Sequence, residues 1–294
     1  MDVNATIAAF LRSEELPDSY HKTIEQIYQP LAQSAVERFH RLHRSCVIGL
    51  CGPQGSGKST GAAVMQILIQ AQGLRAAVLS LDDLYLTHAE RQRLAQTVQP
   101  LLATRGVPGT HDVQLGKNVI DHLLHAHHTA LPSFNKATDD RRPQSEWKIF
   151  DGPADIVLFE GWCVGAHPQP SSALVEPINQ LERERDPYGI WRTYVNNALV
   201  KYQALFLQID FLILLEPPNF EIVARWRREQ EDKLREKSAG ETHLKIMTDT
   251  EIDEFIQHFE RITRWIIKEM PSRADEVVNL DRNRRLIGSL NFRR

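Results

Sequence analysis

Cys46-Val47-Ile48-Gly49-Leu50-Cys51-Gly52-Pro53-Gln54-Gly55-Ser56-Gly57-Lys58-Ser59 opens a strand–loop–helix unit. The apolar run Cys46–Cys51 has the character of a buried strand. Gly52 to Ser59 fits G-x-x-x-x-G-K-[ST] at every position, and Thr60 follows. From Ser59 to about Gln72 the pattern is helical, closed by Gly73. Glycines let backbone N–H groups turn inward around phosphate oxygens. Lys58 adds a point charge at the β and γ phosphates, the Ser59 hydroxyl suits Mg²⁺, and the helix N-terminus adds partial positive charge. The motif specifies nucleotide phosphates; it does not choose between kinase, GTPase and motor.

Outward from this unit, strand-like runs recur at Ala76–Leu81, Asp155–Phe159, Phe211–Leu215 and Glu276–Leu280. Continuous apolar runs suit strands buried on both faces of a parallel sheet, and helical patterns lie between them. The expected fold is therefore α/β: a mostly parallel five-stranded sheet covered by helices on both faces. Residues 1–45 read as a helical N-terminal extension, interrupted at Pro17 and Pro30 and without evident chemistry. Residues 46–294 read as the phosphate-loop domain, with a lid over about 219–250. Residues 100–118 and 131–154 read as irregular, and both follow strand ends on the ligand side.

Composition restricts the partners. Of 294 residues, 42% are hydrophobic and 25% charged, as in ordinary globular domains. Lys plus Arg number 35 against 38 Asp plus Glu, a balance of −3 that gives no electrostatic reason to expect nucleic acid or a membrane surface. No apolar run reaches the roughly 18 residues of a membrane span. Cys46, Cys51 and Cys163 are unpaired in spacing and read as reduced thiols. Met1-Asp2-Val3-Asn4 begins neither a signal nor a transit peptide, so cytoplasm is the expected compartment.

In open α/β sheets ligands sit at the carboxyl ends of the strands. Asp82-Asp83 and Glu160 end two of the expected strands. A carboxylate there can hold Mg²⁺ or take the proton of an acceptor hydroxyl, or it can simply cap a turn, Asp83 especially. Residues 220–236 read as a helix whose apolar arc contains Arg227 but not Arg225 or Arg228. Arg227 on that arc calls for an anion: ATP phosphates under a closing lid, or a carboxylate of the protein. His122, His125, His127 and His128 lack a completing acid or Cys for a metal set. The basic tail Arg282, Arg284, Arg285, Arg293 and Arg294 reads as a solvated end or a contact of the 281–284 loop with adenine.

Together these segments resemble a known group. The phosphate loop followed by Ser80-Leu81-Asp82-Asp83-Leu84-Tyr85-Leu86-Thr87 is similar to the P-loop kinases of the phosphoribulokinase, uridine kinase and pantothenate kinase superfamily. Arg105-Gly106-Val107-Pro108-Gly109-Thr110-His111-Asp112, Pro132-Ser133-Phe134-Asn135-Lys136-Ala137 with Asp140-Arg141, Glu160-Gly161-Trp162-Cys163-Val164-Gly165, and Arg225-Trp226-Arg227-Arg228-Glu229-Gln230-Glu231 narrow the resemblance to plant-type D-glycerate 3-kinases and their microbial relatives. It covers roughly residues 46–285. Asn135, where Asp is favoured, and Leu84, where Phe is common, depart from the pattern.

The resemblance implies ATP and Mg²⁺ as cofactors and D-glycerate or a similar small anion as acceptor. It implies Asp82 as base, Glu160 as the second acid near the metal, and Arg225, Arg227 and Arg228 as lid arginines at the phosphates. Tyr85 accompanies Asp82 at the acceptor. Arg105, His111, Lys136 and Arg141 lie in the two irregular stretches, where an anionic carboxylate would need Arg or Lys to offset its desolvation. Two rivals remain at this point: a kinase of the same superfamily with another acceptor, such as a nucleoside or pantothenate, and a nucleotide-gated binding or regulatory ATPase.

Overall fold

A computed structural model describes residues 2–237 and 247–290. Five strands form the central sheet: β1 (Cys46–Cys51), β2 (Ala76–Ser80), β3 (Ile156–Gly161), β4 (Phe211–Glu216) and β5 (Glu276–Asn279). Their order is β2-β3-β1-β4-β5, and every pair is parallel. All five carboxyl ends therefore lie along one edge, where the phosphate loop leaves β1. The five apolar runs of the sequence are these five strands.

Alternate residues of each strand enter different cores, because side chains in a strand alternate faces. Val47, Cys51, Val157, Phe159 and Leu214 join the helices Val113–His125, Ile190–Phe206 and Asp249–Glu269. Cys46, Ile48, Leu50, Ile156 and Leu158 join the phosphate-loop helix Lys58–Gln70 and the N-terminal helices. The sheet has no solvated face, which is why its strands read as unbroken apolar runs rather than as alternations.

The N-terminal residues belong to that second core: Ile7, Leu11, Ile27, Leu31 and Ala35 pack with strand residues. The expected boundary at 45/46 thus separates two elements that share one hydrophobic interior. Pro30 does not break the chain there. The backbone makes a π turn over Ile24–Tyr28, then continues as an α-helix over Gln29–Leu42 with Pro30 in its first turn. A wider turn accommodates a residue that lacks an N–H and crowds the carbonyl four residues back.

The stretch 100–118 is only partly irregular. A helix starts at Val113, capped by Asp112, whose Oδ1 accepts from the Leu115 N–H at 2.9 Å. Gly116 is helical, and its missing side chain admits close packing; a Cβ there would lie 2.7 Å from Leu84 Cδ1. The stretch 131–154 folds back as two small antiparallel pairs, His128–Leu131 with Lys148–Asp151 and Phe134–Asn135 with Asp140–Arg141. The expected lid contains a helix over Phe220–Lys237, capped by Asn219, whose Oδ1 accepts from the Ile222 N–H. Residues 238–246 of that lid, and Arg293 and Arg294 of the basic tail, lie outside the described residues. No helix among the described residues is long and apolar enough to cross a membrane.

Candidate active site

The phosphate loop turns through two glycines with positive φ, Gly55 (+76°) and Gly57 (+88°), a region that favours glycine. Gly57 caps the helix that starts at Lys58. At Gly55 a Cβ would also lie 2.6 Å from Trp226 Cβ, so the helix Phe220–Lys237 is seated directly on the loop. Trp226 is fully buried, and its Nε1–H donates to the Arg282 carbonyl at 2.9 Å. The base of this helix is fixed to the loop and to the chain after β5.

In front of the loop lies a cavity of about 210 Å³. The structure brings Gln54, Gly55, Lys58, Ser59, Asp82, Tyr85, Arg105, Lys136 and Arg227 together on its walls. Asp82 stands in a 3-10 turn over Leu81–Leu84 at the end of β2, capped by Ser80. Its Oδ1 accepts from the Tyr85 hydroxyl at 2.8 Å and its Oδ2 from Lys136 Nζ at 2.7 Å. Burial pushes the Asp82 carboxyl up, but the charges of Lys136 and Lys58 and these two hydrogen bonds outweigh it, holding the group far below the usual carboxylate range. Asp82 is therefore an ionised acceptor aimed into the cavity.

The neighbouring acid has a different environment. Asp83 Oδ1 accepts from the Phe134 N–H at 3.0 Å and so anchors the small hairpin that carries Lys136. Burial raises its carboxyl to about 6. Asn135 lies in the same hairpin, and its Oδ1 accepts from the Ala137 and Thr138 N–H groups, shaping the turn below Lys136. Arg105 reaches the cavity while paired with Asp139, which also accepts from the buried Arg91 at 2.9 Å.

Glu160, at the end of β3, is 3% exposed, directly behind Ser59. Its Oε1 accepts from the Ser59 hydroxyl at 2.9 Å, while Oε2 is buried without a hydrogen-bond partner among the described residues. Ser59 Oγ, the Glu160 carboxylate and the Asp82 carboxylate make an all-oxygen donor set, as Mg²⁺ requires. The unpartnered Oε2, which would otherwise cost about 1–3 kcal/mol, fits a cation or its water at this position. These residues suit the Mg²⁺ that the phosphate-loop motif implies.

Arg227 lines the cavity, pairs with Glu231 at 2.8 Å and lies 5.5 Å from the centre of the Phe255 ring. Both readings of this residue thus coincide, since it has a carboxylate partner and also faces the phosphate side. Arg225 and Arg228 are not brought to the cavity. They pair with Glu229 and Asp253 on the half-exposed side of the helix, off its apolar arc.

His111 and Arg141 also stay outside. His111 lies beneath Tyr85, ring centres 4.6 Å apart, with Nδ1 2.7 Å from the Tyr202 hydroxyl; burial lowers it to about 3. Arg141 donates from Nε and Nη2 to the Tyr85 carbonyl. Both hold the Tyr85 segment from behind. Of the other motif residues, Gly52, Pro53, Ser56, Gly57 and Thr60 shape the loop and helix start without lining the cavity. Cys46, Cys51 and Cys163 are buried and unbridged, and burial pushes the Cys51 thiol up to about 12.

Four wall residues escaped the sequence reading: Trp162, Gln230, Phe255 and Phe259. Trp162 lies in the Glu-Gly-Trp segment, where its large side chain beside an acid was a usable signal. Phe255 and Phe259 share one face of an amphipathic helix and look like ordinary core residues.

The fold and the loop define a P-loop nucleotide-binding protein, and the similar proteins make it an ATP-dependent kinase. Residues 47–169 match the phosphoribulokinase/uridine kinase family, and the chain belongs to it. It is 35% identical over 226 residues to an uncharacterised kinase of Schizosaccharomyces pombe, covering 74% of this chain and 79% of that one. It is 31% identical to the chloroplastic D-glycerate 3-kinase of Arabidopsis thaliana, covering 72% of this chain and 46% of the plant protein. Among solved structures, a D-glycerate 3-kinase from Cryptococcus neoformans is similar with a TM-score of 0.75 at 26% identity, over 91% of this chain and 99% of that one.

Proposed function

We propose that this kinase transfers the γ-phosphoryl group of ATP to a hydroxyl of D-glycerate, giving 3-phosphoglycerate and ADP. The observation that carries the reading is the set of charges facing Lys58 and Ser59 across one small cavity: an ionised Asp82 beside the cations Lys136 and Arg105. Cations at the acceptor end of this cavity offset the desolvation of a small carboxylate. The D-glycerate 3-kinases among the similar proteins add to this support.

In this mechanism the loop amides and Lys58 hold the β and γ phosphates. Ser59, Glu160 and Asp82 would hold Mg²⁺, which when bound neutralises charge on those phosphates. Lys136 and Arg105 orient the acceptor carboxylate. Asp82 accepts a hydrogen bond from the acceptor hydroxyl and takes its proton as the oxygen bonds to the γ phosphorus. The bond to the β–γ bridging oxygen breaks, and ADP leaves with that electron pair. A carboxylate of low basicity suits this task, because a loose transition state releases the proton late. Arg227 offsets charge on the transferring group.

One observation favours a second reading. Trp162, Phe255 and Phe259 give the cavity an aromatic wall that glycerate does not need, which would suit an acceptor with an apolar portion, such as pantothenate. The test is ADP release from Mg-ATP against D-glycerate, L-glycerate, uridine, pantothenate and ribulose 5-phosphate, with product mass determined. Stimulation many-fold by D-glycerate alone, with a phosphoglycerate product, is the expected result. A flat rate across the panel refutes the glycerate assignment. The Asp82→Asn variant should lose transfer while retaining ATP binding, which separates a kinase from a nucleotide-gated switch.

A further inference from the structure

The matched family region begins at residue 47, yet both ends of the chain reach the back of the phosphate loop. Tyr28 lies in the π turn of the N-terminal helices and is 3% exposed. Its ring fills the space above Gly61, where a Cβ would lie 2.2 Å from Tyr28 Cε1. Its hydroxyl donates to the Gly57 carbonyl at 3.3 Å, and Tyr20 stacks on it from the N-terminal side, ring centres 6.4 Å apart. From the other end comes Arg284. Its Nε donates to the Gly55 carbonyl, its guanidinium pairs with Glu229 at 2.8 Å, and it covers the Trp226 ring at 5.0 Å.

Two further facts set this arrangement apart from ordinary packing. Gly55 and Gly57 are the two loop residues with positive φ, and so create the concavity in which N–H groups converge. The carbonyls held from behind belong to those same residues. Arg284 is itself at φ +64°, uncommon for a non-glycine residue, in a turn closed by its N–H to the Asp281 carbonyl at 3.0 Å. A hydroxyl from one terminus, beside the Gly61 N–H that also donates to the Gly57 carbonyl at 2.8 Å, and an arginine from the other thus hold the two hinge carbonyls of one loop.

We infer that Tyr28 and Arg284 are positioning residues for ATP: by holding the Gly57 and Gly55 carbonyls outward, they keep the loop N–H groups aimed at the phosphates. The loop is then ordered before nucleotide arrives, and binding need not bear that ordering cost. Neither side chain lines the cavity in front of the loop, and both touch the loop carbonyls. The inference needs the phosphate loop but not a particular acceptor.

The test is ATP and ADP affinity by calorimetry without acceptor, alongside steady-state KM for each substrate. Tyr28→Phe keeps the ring above Gly61 and removes only the hydroxyl. It should weaken ATP binding roughly 3- to 10-fold, the range of one lost hydrogen bond. The acceptor KM should stay unchanged. Arg284→Met should do the same, and Arg284→Lys should restore part of the loss, since an ammonium still donates to the Gly55 carbonyl. If Arg284→Met lowers expression, Glu229→Gln loosens the guanidinium while leaving the loop contact, and a smaller loss of ATP affinity is expected. Lower thermal stability with ATP affinity within two-fold of wild type in both Tyr28→Phe and Arg284→Met would overturn the inference and leave these contacts purely structural.

Discussion

Replacing Lys136 by methionine removes the cation 2.7 Å from Asp82 Oδ2 while keeping the length and apolar bulk of its stem. Burial pushes the Asp82 carboxyl up, and Lys136 is the first of the charges that overcome it, followed by Lys58. An opposite charge at this range lowers a carboxyl by about 1–3 pH units in a protected site. Lys136 is largely exposed, so screening by water cuts the effect to roughly one or two pH units. The sign follows directly. Without Lys136 the Asp82 carboxyl rises, so on acidification it loses its charge at a higher pH than in the wild type. At pH 7 it stays ionised in both proteins, and any fall in kcat there reports lost orientation alone. The variant therefore departs from the wild type only at the acid end, with a fractional loss beginning near pH 4 that grows toward pH 3. The assay is kcat at saturating Mg-ATP and acceptor from pH 8 to pH 3, with circular dichroism at each pH to establish that both proteins remain folded. Profiles that superimpose after scaling at pH 8 would refute the reasoning, because Asp82 would not be the ionising group or Lys136 would not be what holds it ionised.

Glu160→Gln removes the charge behind Ser59 and leaves an amide where a buried carboxylate oxygen has no partner among the described residues; the Mg²⁺ concentration for half-maximal activity should rise at least about ten-fold, read by metal titration at fixed ATP. Asp83 is raised to about 6 in the folded chain, so its contribution to stability is full below its ordinary value of 3.8 and is lost as the pH rises through 6. Asp83→Asn should therefore gain stability relative to wild type between pH 5 and 8, by roughly 1–2 kcal/mol in urea unfolding, with the Phe134 hydrogen bond retained by the amide oxygen. Gly61→Ala forces a methyl group into the Tyr28 ring and should cost about 1–3 kcal/mol despite the better helix propensity of alanine; Tyr28→Ala in the same chain should make the alanine at 61 harmless, as a double-mutant cycle would show.

The phosphate loop and the five strands were legible because their codes are local. A strand buried on both faces must be apolar throughout, and a loop that bends backbone amides around phosphates must carry glycine at fixed places. Asp82 and Glu160 followed, since strand ends in a parallel sheet share one edge. Legibility stopped where a side chain's partner comes from far along the chain. Arg227, Arg225 and Arg228 sit on one turn of helix. The apolar arc of the helix already set the first apart from the other two, but that this arc meets the cavity follows from the packing of the helix on Gly55, which leaves the others with Glu229 and Asp253. His111 has the composition of a ligand and the position of a prop, because Tyr202, distant in sequence, takes its Nδ1. Phe255 and Phe259 show the helical spacing of core residues, and whether such a face meets core or cavity depends on how the helix is set against the sheet.

The termini give the clearest contrast. As sequence, residues 1–45 are amphipathic helix with two prolines and no chemistry, and Arg284 is one basic residue in a short tail. Tertiary structure places Tyr28 and Arg284 on two carbonyls of one loop. Sequence by itself determined the class of chemistry, because phosphate binding is written in consecutive residues whose backbone conformation is set by their own side chains, or by the lack of them. Tertiary structure decided which residues support that chemistry, because contacts between chain ends follow from the burial of whole helix faces, and no short stretch of sequence encodes that packing.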